Sequence, residues 1–270
     1  MAQFEIGANT TWANEPMWDR EKVIEAHKSG NGASQEDAED LLHKYGKKNP
    51  GNTIGNEGCM LTSLAMVLHL LDDRPIHPAW TPTLLNEEAH ARHFYTLAGI
   101  SMVPLYADLV SEVTQGEVQL CAKEDYFPGE PKWPRNYAST SLLVRAYRQL
   151  SQEDRKHYAV MLKTGTYDDT FASHYVLLDP NDPGDPDDKN PVILDPIMPK
   201  NANSPWRLSN SADFLRSDKK VKKAWDDRKI KRRQIGGVWL FARWQGRHAP
   251  LLMGSLAEAL ASEMKSNQVA

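Results

Sequence analysis

Residues Gly58-Cys59-Met60-Leu61-Thr62-Ser63-Leu64-Ala65-Met66-Val67-Leu68-His69-Leu70-Leu71 form a nearly unbroken apolar run, with only Thr62, Ser63 and His69 polar after Leu61. The run follows Asn49, Pro50, Gly51, Asn52, Gly55, Asn56 and Glu57, a string of turn formers that would interrupt a helix. The boundary predicts a helix that opens at Cys59. Because it is apolar on all sides, it is expected at the centre of a core, and it is too short to span a bilayer.

A cysteine in that place has unusual chemistry. The first-turn N–H groups of a helix lack intrahelical partners, and the macrodipole puts partial positive charge beside them; both favour thiolate over thiol. The same amides can hold the oxyanion that develops when a nucleophile attacks a carbonyl. The plainer reading is that Cys59 is a small apolar core residue, as most free cysteines are. A nucleophile needs a base, and the base must come from elsewhere in the chain.

The 270 residues suffice for one large domain or two small ones, and we expect a single domain over 1–253 with a helical tail over 254–270. Two cysteines, Cys59 and Cys121, make no disulfide framework, so a reducing setting is expected with both free. Met1 to Thr11 lacks the basic and apolar segments of a secretory signal, and no stretch of about twenty apolar residues occurs. The expected location is cytoplasmic as synthesised, which is compatible with export by a non-Sec route that accepts folded cargo.

A net charge of −4 argues against general nucleic-acid binding. The local basic run from Lys219 to Arg233 is interrupted by Asp226 and Asp227, has only Trp225 as an aromatic companion, and reads as a solvated helix face. His90 and His93 stand one turn apart but sit beside Glu88 and Arg92, so they too read as a solvated face, and no metal or cofactor is expected. The Asp/Pro/Gly run from Asp179 to Asp188 is a turn-rich connection; its prolines break the alternation that a calcium loop needs.

Helical signals dominate the first half. Ser34 opens a polar helix that Gly46 ends, and Thr81-Pro82 opens one that runs through Leu97 to Gly99. Another helix is expected from Leu105 to Thr114, a strand over Glu117 to Cys121, and a helix capped by Ser139 or Thr140 that carries Leu142 to Leu150. Extended segments then follow at Tyr158–Leu162, His174–Leu178, Val192–Leu194 and Val238–Trp244. The tail places Leu256, Ala257, Leu260, Ala261 and Met264 on one face, to pack on the domain or to meet a protein partner.

Of nine histidines, His157 and His174 alone begin buried-looking strands. After His174 the chain turns and returns as Val192-Ile193-Leu194, ending in Asp195. If those two strands pair, the carboxylate of Asp195 lies beside the ring, fixes its tautomer and stabilises imidazolium. His157 has no such neighbour, and His69 is about three turns from Cys59 on the same helix, beyond proton-transfer reach.

Gly58-Cys59 with the Leu61 to Leu68 run, then His174-Tyr175-Val176, then Asp195-Pro196, resembles the papain-like cysteine peptidases related to bacteriocin leader-processing (double-glycine) peptidases. The resemblance covers residues 50 to 70 and 155 to 200. It implies an α+β fold with a helical N-terminal half, in which the Cys helix packs on an antiparallel sheet. It also implies Cys59 as nucleophile, His174 as base and Asp195 as orienter. The family's oxyanion glutamine has no counterpart; Asn9, in Asn9-Thr10-Thr11-Trp12, occupies a comparable place, with Asn52 and Asn56 as alternatives. The segment 19–49 is then an insertion.

The function expected on this basis is hydrolysis of a peptide or amide bond through an acyl-enzyme. Peptidase action on a peptide or protein comes first. Amidase action on peptidoglycan stem peptides, as a bacterial toxin or effector, is the alternative, and transfer of the acyl group to an amine comes third. An interaction module of papain-like form without turnover is the reading of a different class.

Overall fold

The computed structural model describes Ile54, residues 58–72, 80–92, Phe94, 103–125, 141–165, 173–181, 190–197, 205–211, Lys222, 235–244, Gly254 and 257–262. The chain is a mixed α+β structure built from antiparallel strands and helices. Among the described residues, no helix is long and apolar enough to cross a membrane.

Helix α1 spans Cys59–Leu71, starting where the sequence predicts, and Met60 to Leu68 and Leu71 are buried. Helix α2 spans Pro82–Ala91; the Thr81 side chain accepts the Leu84 N–H, and Pro82 stands in the first turn, as expected. It ends earlier than the expected stop at Gly99. The Phe94 N–H turns back to the Ala89 carbonyl at 2.9 Å, and the Phe94 ring packs on the core. A tertiary apolar contact thus outweighs the local helical pattern.

Helix α3, Val103–Val113, leads through Gln115 and Gly116, both at positive φ, into β1 over Val118–Asp125. This strand continues past the expected end at Cys121, because Lys123, Glu124 and Asp125 pair with Trp239, Val238 and Gly237. Helix α4 spans Leu142–Gln149. Its cap is Ser141, not Ser139 or Thr140: the Ser141 hydroxyl accepts the Val144 N–H at 3.1 Å and donates to Glu124 at 2.9 Å. Glu124 also accepts the Leu143 N–H at 2.9 Å, so a carboxylate on β1 decides where this helix begins.

A short helix α5, Gln152–Arg155, leads into β2 over Tyr158–Gly165. β3 is Ser173–Leu178, β4 is Ile193–Leu194 and β5 is Ile235–Arg243. The sheet order is β1-β5-β2-β3-β4, and every neighbouring pair is antiparallel. The first of the described strands therefore joins the last, which brings the strand expected at Glu117 to Cys121 into the same sheet as the C-terminal strands.

Both sheet faces are covered, which is why β2, β3 and β5 read as continuous apolar runs. One face carries α1, α2 and α3 against Met161, Leu177, Trp239 and Phe241. The other carries α4 with Leu208 and Ala259 against Val160, Val176, Val238 and Leu240. Ala259 and Leu260 place the described part of the C-terminal tail on the domain's own core. The expected helix from Ser34 to Gly46, the segment 19–49 and most of the basic run lie outside the described residues.

Gly58 is demanded by space. Its N–H donates to the Ile54 carbonyl at 2.8 Å, and a Cβ there would stand 2.5 Å from that oxygen and 2.7 Å from the Ile54 side chain. Overpacking of this kind costs about 1–3 kcal/mol. Gly58→Ala is expected to lower stability by that order in urea denaturation; an unchanged midpoint would show that the approach relaxes freely.

Candidate active site

Cys59 is the first residue of α1 and is half-buried. Its preceding residue, Gly58, offers no side chain to cap the helix, so the N-cap position supplies no side-chain acceptor to the first-turn amides. His174 is the second residue of β3, and Asp195 follows directly after β4. The pairing predicted from sequence is present: Leu177 stands opposite Leu194 and Leu178 opposite Ile193.

That register brings the base and its orienter together. His174 Nε2 lies 2.6 Å from Asp195 Oδ1, with the two side chains 3% and 0% exposed. The Cys59 thiol lies near enough to the ring to interact with it electrostatically. With Nε2 on the carboxylate, Nδ1 is the nitrogen left for sulfur.

Burying a carboxylate costs several kcal/mol unless its lone pairs are met. Besides His174, Asp195 Oδ1 accepts the Ile197 N–H at 3.0 Å, and Oδ2 accepts the Trp206 indole N–H at 2.9 Å. Ser211, fully buried, brings a hydroxyl dipole beside the carboxylate, although its oxygen does not reach hydrogen-bond geometry. Burial pushes the Asp195 pKa up, but the His174 charge and hydrogen bond, with the Ile197 amide and the Ser211 hydroxyl, outweigh it and hold the carboxyl below its ordinary value. For His174, burial opposes the charge; the Asp195 carboxylate, with a smaller contribution from Cys59, outweighs burial and raises the ring to about 10.

Trp206 is the site residue that the sequence did not reveal. It arrives on a return segment laid along β4, with the Ile193 N–H donating to the Trp206 carbonyl at 2.9 Å and the Leu208 N–H to the Pro191 carbonyl at 3.0 Å. Asn190 ties the segment further, accepting from Arg207 Nη1 at 2.7 Å and from the Ser209 N–H at 2.8 Å. The one local signal is an aromatic residue at Pro205-Trp206, eleven positions after Asp195, and no spacing rule links the two.

The competing candidates are placed elsewhere. Thr164 pairs with His174, whereas His157 precedes the opposite end of β2, about 20 Å away by strand rise. His69 is ten residues along α1 from Cys59, about 15 Å. Asp179 Oδ1 accepts from the Asn181 N–H at 2.9 Å in a turn. Cys121, half-buried like Cys59, lies on β1, donates to the Leu240 carbonyl at 3.2 Å, and is pushed up to about 12 by burial, which disfavours its thiolate. Asn9, Asn52 and Asn56 lie outside the described residues. Among the described residues, no group of three or more His, Cys, Asp or Glu side chains is arranged to hold a metal, and His93 lies outside them.

No comparison matches this chain: neither family models, nor curated proteins, nor solved structures.

The coupled pair sets a pH window for stability. His174 has a folded pKa of about 10 against an ordinary 6.5, so its contribution is complete below 6.5 and is lost as pH rises towards 10. Asp195, lowered from 3.8, contributes above that value, and this is lost as pH falls through its folded pKa. Denaturant stability is expected to decline from 6.5 upward in the wild type, and Asp195→Asn should flatten that limb; equal slopes would place the linkage elsewhere. Trp206→Phe, which keeps an aromatic ring and removes the donor, should lower stability by about 1–2 kcal/mol. A loss within error would mean that the carboxylate does not depend on the indole.

Proposed function

We propose that this protein is a cysteine hydrolase of papain-like type, in which Cys59 attacks a peptide or amide carbonyl. The observation that carries the reading is the half-buried thiol at the start of α1 beside a histidine whose far nitrogen is held by a buried carboxylate at 2.6 Å. A nucleophile, a base and an orienter in that order are the parts that covalent catalysis requires. The resemblance of the Cys59 helix, the His174 strand and Asp195-Pro196 to bacteriocin leader-processing peptidases supports the same reading.

In this reaction the imidazole takes the thiol proton, giving a thiolate and imidazolium pair that Asp195 stabilises. The sulfur adds to the carbonyl carbon, and the oxyanion accepts hydrogen bonds from the first-turn amides of α1. Imidazolium then gives its proton to the departing amine as the carbon–nitrogen bond breaks, leaving a thioester on Cys59. His174 next takes a proton from water, the hydroxide adds to the thioester, and the acid leaves with the thiol restored.

Peptides and simple amides present the same scissile carbonyl to this machinery. The proposed substrate is therefore a peptide, with peptidoglycan stem peptides acted on by a toxin as the alternative. Asp195 and its donors form a polar network that a packed core has no need of, which disfavours a binding module without turnover.

The reading is tested by alkylation of Cys59 with iodoacetamide over a pH series, read by mass spectrometry so that Cys121 is counted separately. At about pH 6 the wild type should react at least tenfold faster than His174→Ala, because an ordinary thiol is almost wholly protonated there. An ordinary thiol profile in both proteins would overturn the proposal.

A further inference from the structure

One buried hydrogen bond joins the helix of the nucleophile to the strand of the base. Ser63 lies four residues after Cys59, on the same face of α1 and one turn along. It is fully buried, and its hydroxyl donates to the Tyr175 carbonyl at 3.0 Å. Tyr175 is the residue next to His174. We infer that Ser63 is a positioning residue, whose bond to the Tyr175 backbone sets how far the Cys59 sulfur stands from the His174 ring.

Three observations carry this. Much of the packing of α1 on the sheet is apolar, with Leu61, Leu64 and Leu68 in the cluster that holds Met161, Leu177 and Trp239. Such contact is non-directional and tolerates a small slide of the helix along the strands. A hydrogen bond is directional and weakens steeply when it is lengthened or bent, so it selects one axial position.

Second, a serine inside a helix ordinarily turns its hydroxyl back to the carbonyl four residues earlier. At Ser63 the hydroxyl instead reaches across to a residue 112 positions away. The hydroxyl of the adjacent Thr62, equally buried, makes no hydrogen bond among the described residues, so a cross-element bond is not simply what hydroxyls on this helix do.

Third, the strand end of the link is held in its turn. The Thr164 hydroxyl donates to the His174 carbonyl at 3.3 Å, β2 pairs with β3 through Thr164 and His174, and the ring is fixed by Asp195. With backbone and ring of His174 both anchored, the Ser63 bond ties the first turns of the helix to that strand.

The inference rests on the thiolate and imidazolium pair proposed above, and the same alkylation series tests both separately. Ser63→Ala is expected to cut the Cys59 alkylation rate at about pH 6 by roughly tenfold, since small displacements of paired groups carry penalties of that order. At about pH 9 the rate should stay within roughly twofold of wild type, because there the thiolate forms without help. Ser63→Thr, which keeps the donor, should restore the low-pH limb. A folded Ser63→Ala with the wild-type profile overturns the inference while leaving the hydrolase proposal standing. Should Ser63→Ala fail to fold, Ser63→Thr decides: a retained limb supports the assignment, and a folded protein lacking the limb overturns it. A wild type without a low-pH limb sinks the hydrolase proposal itself, and the positioning role with it.

Discussion

Asp195 is a carboxylate with no exposed surface, and much of the local architecture answers to that fact. A buried charge is tolerated only where each oxygen meets donors. Here one oxygen is shared by the His174 ring and the Ile197 amide, and the other takes the Trp206 indole. Strand β4 is only two residues long, and just beyond it the Ile197 amide turns onto Asp195. The segment 205–211 then returns along β4 to bring Trp206. The short strand, the turn and the return segment are one device for keeping a negative charge beside an imidazole.

The two cysteines show how position decides thiol chemistry. Cys121 lies at a register shift of β1, between Leu120 and Ala122, where surrounding apolar groups oppose the thiolate. Cys59 stands at the mouth of a helix with an imidazole for a neighbour. The same side chain is thereby a core filler in one place and a candidate nucleophile in the other. A buried helix is what makes the second possible, since α1 is wrapped by apolar residues and its first residue stands near the His174 ring.

What could be read from the sequence was whatever is encoded locally. The start of α1 follows from a turn-rich segment meeting an apolar run, and the pairing of β3 with β4 follows from two apolar strands on either side of an Asp/Pro/Gly connection. Those two features placed Cys59, His174 and Asp195. Long-range polar contacts were silent. Glu124 moves the start of α4 to Ser141 from seventeen residues upstream, Phe94 cuts α2 short by packing on the core, and Trp206 reaches Asp195 from a segment with no strand-like pattern. The carbonyl that accepts the Ser63 hydrogen bond belongs to the backbone, which carries no residue-specific signal at all.

The strand order carries a consequence for assembly. Val118 of β1 stands opposite Arg243 of β5, and β5 also pairs with β2 from Tyr158 to Thr164, so an interior position in the sheet, between β1 and β2, is filled by the last of the described strands. Until β5 arrives, β1 lacks its partner and β2 and β3 form a hairpin with one bare edge. Pairings this distant in sequence are slow to form, because the intervening chain must be closed into a loop before any contact rewards it. The sheet face on which α1 rests is therefore incomplete until Trp239 and Phe241 of β5 join Met161 and Leu177.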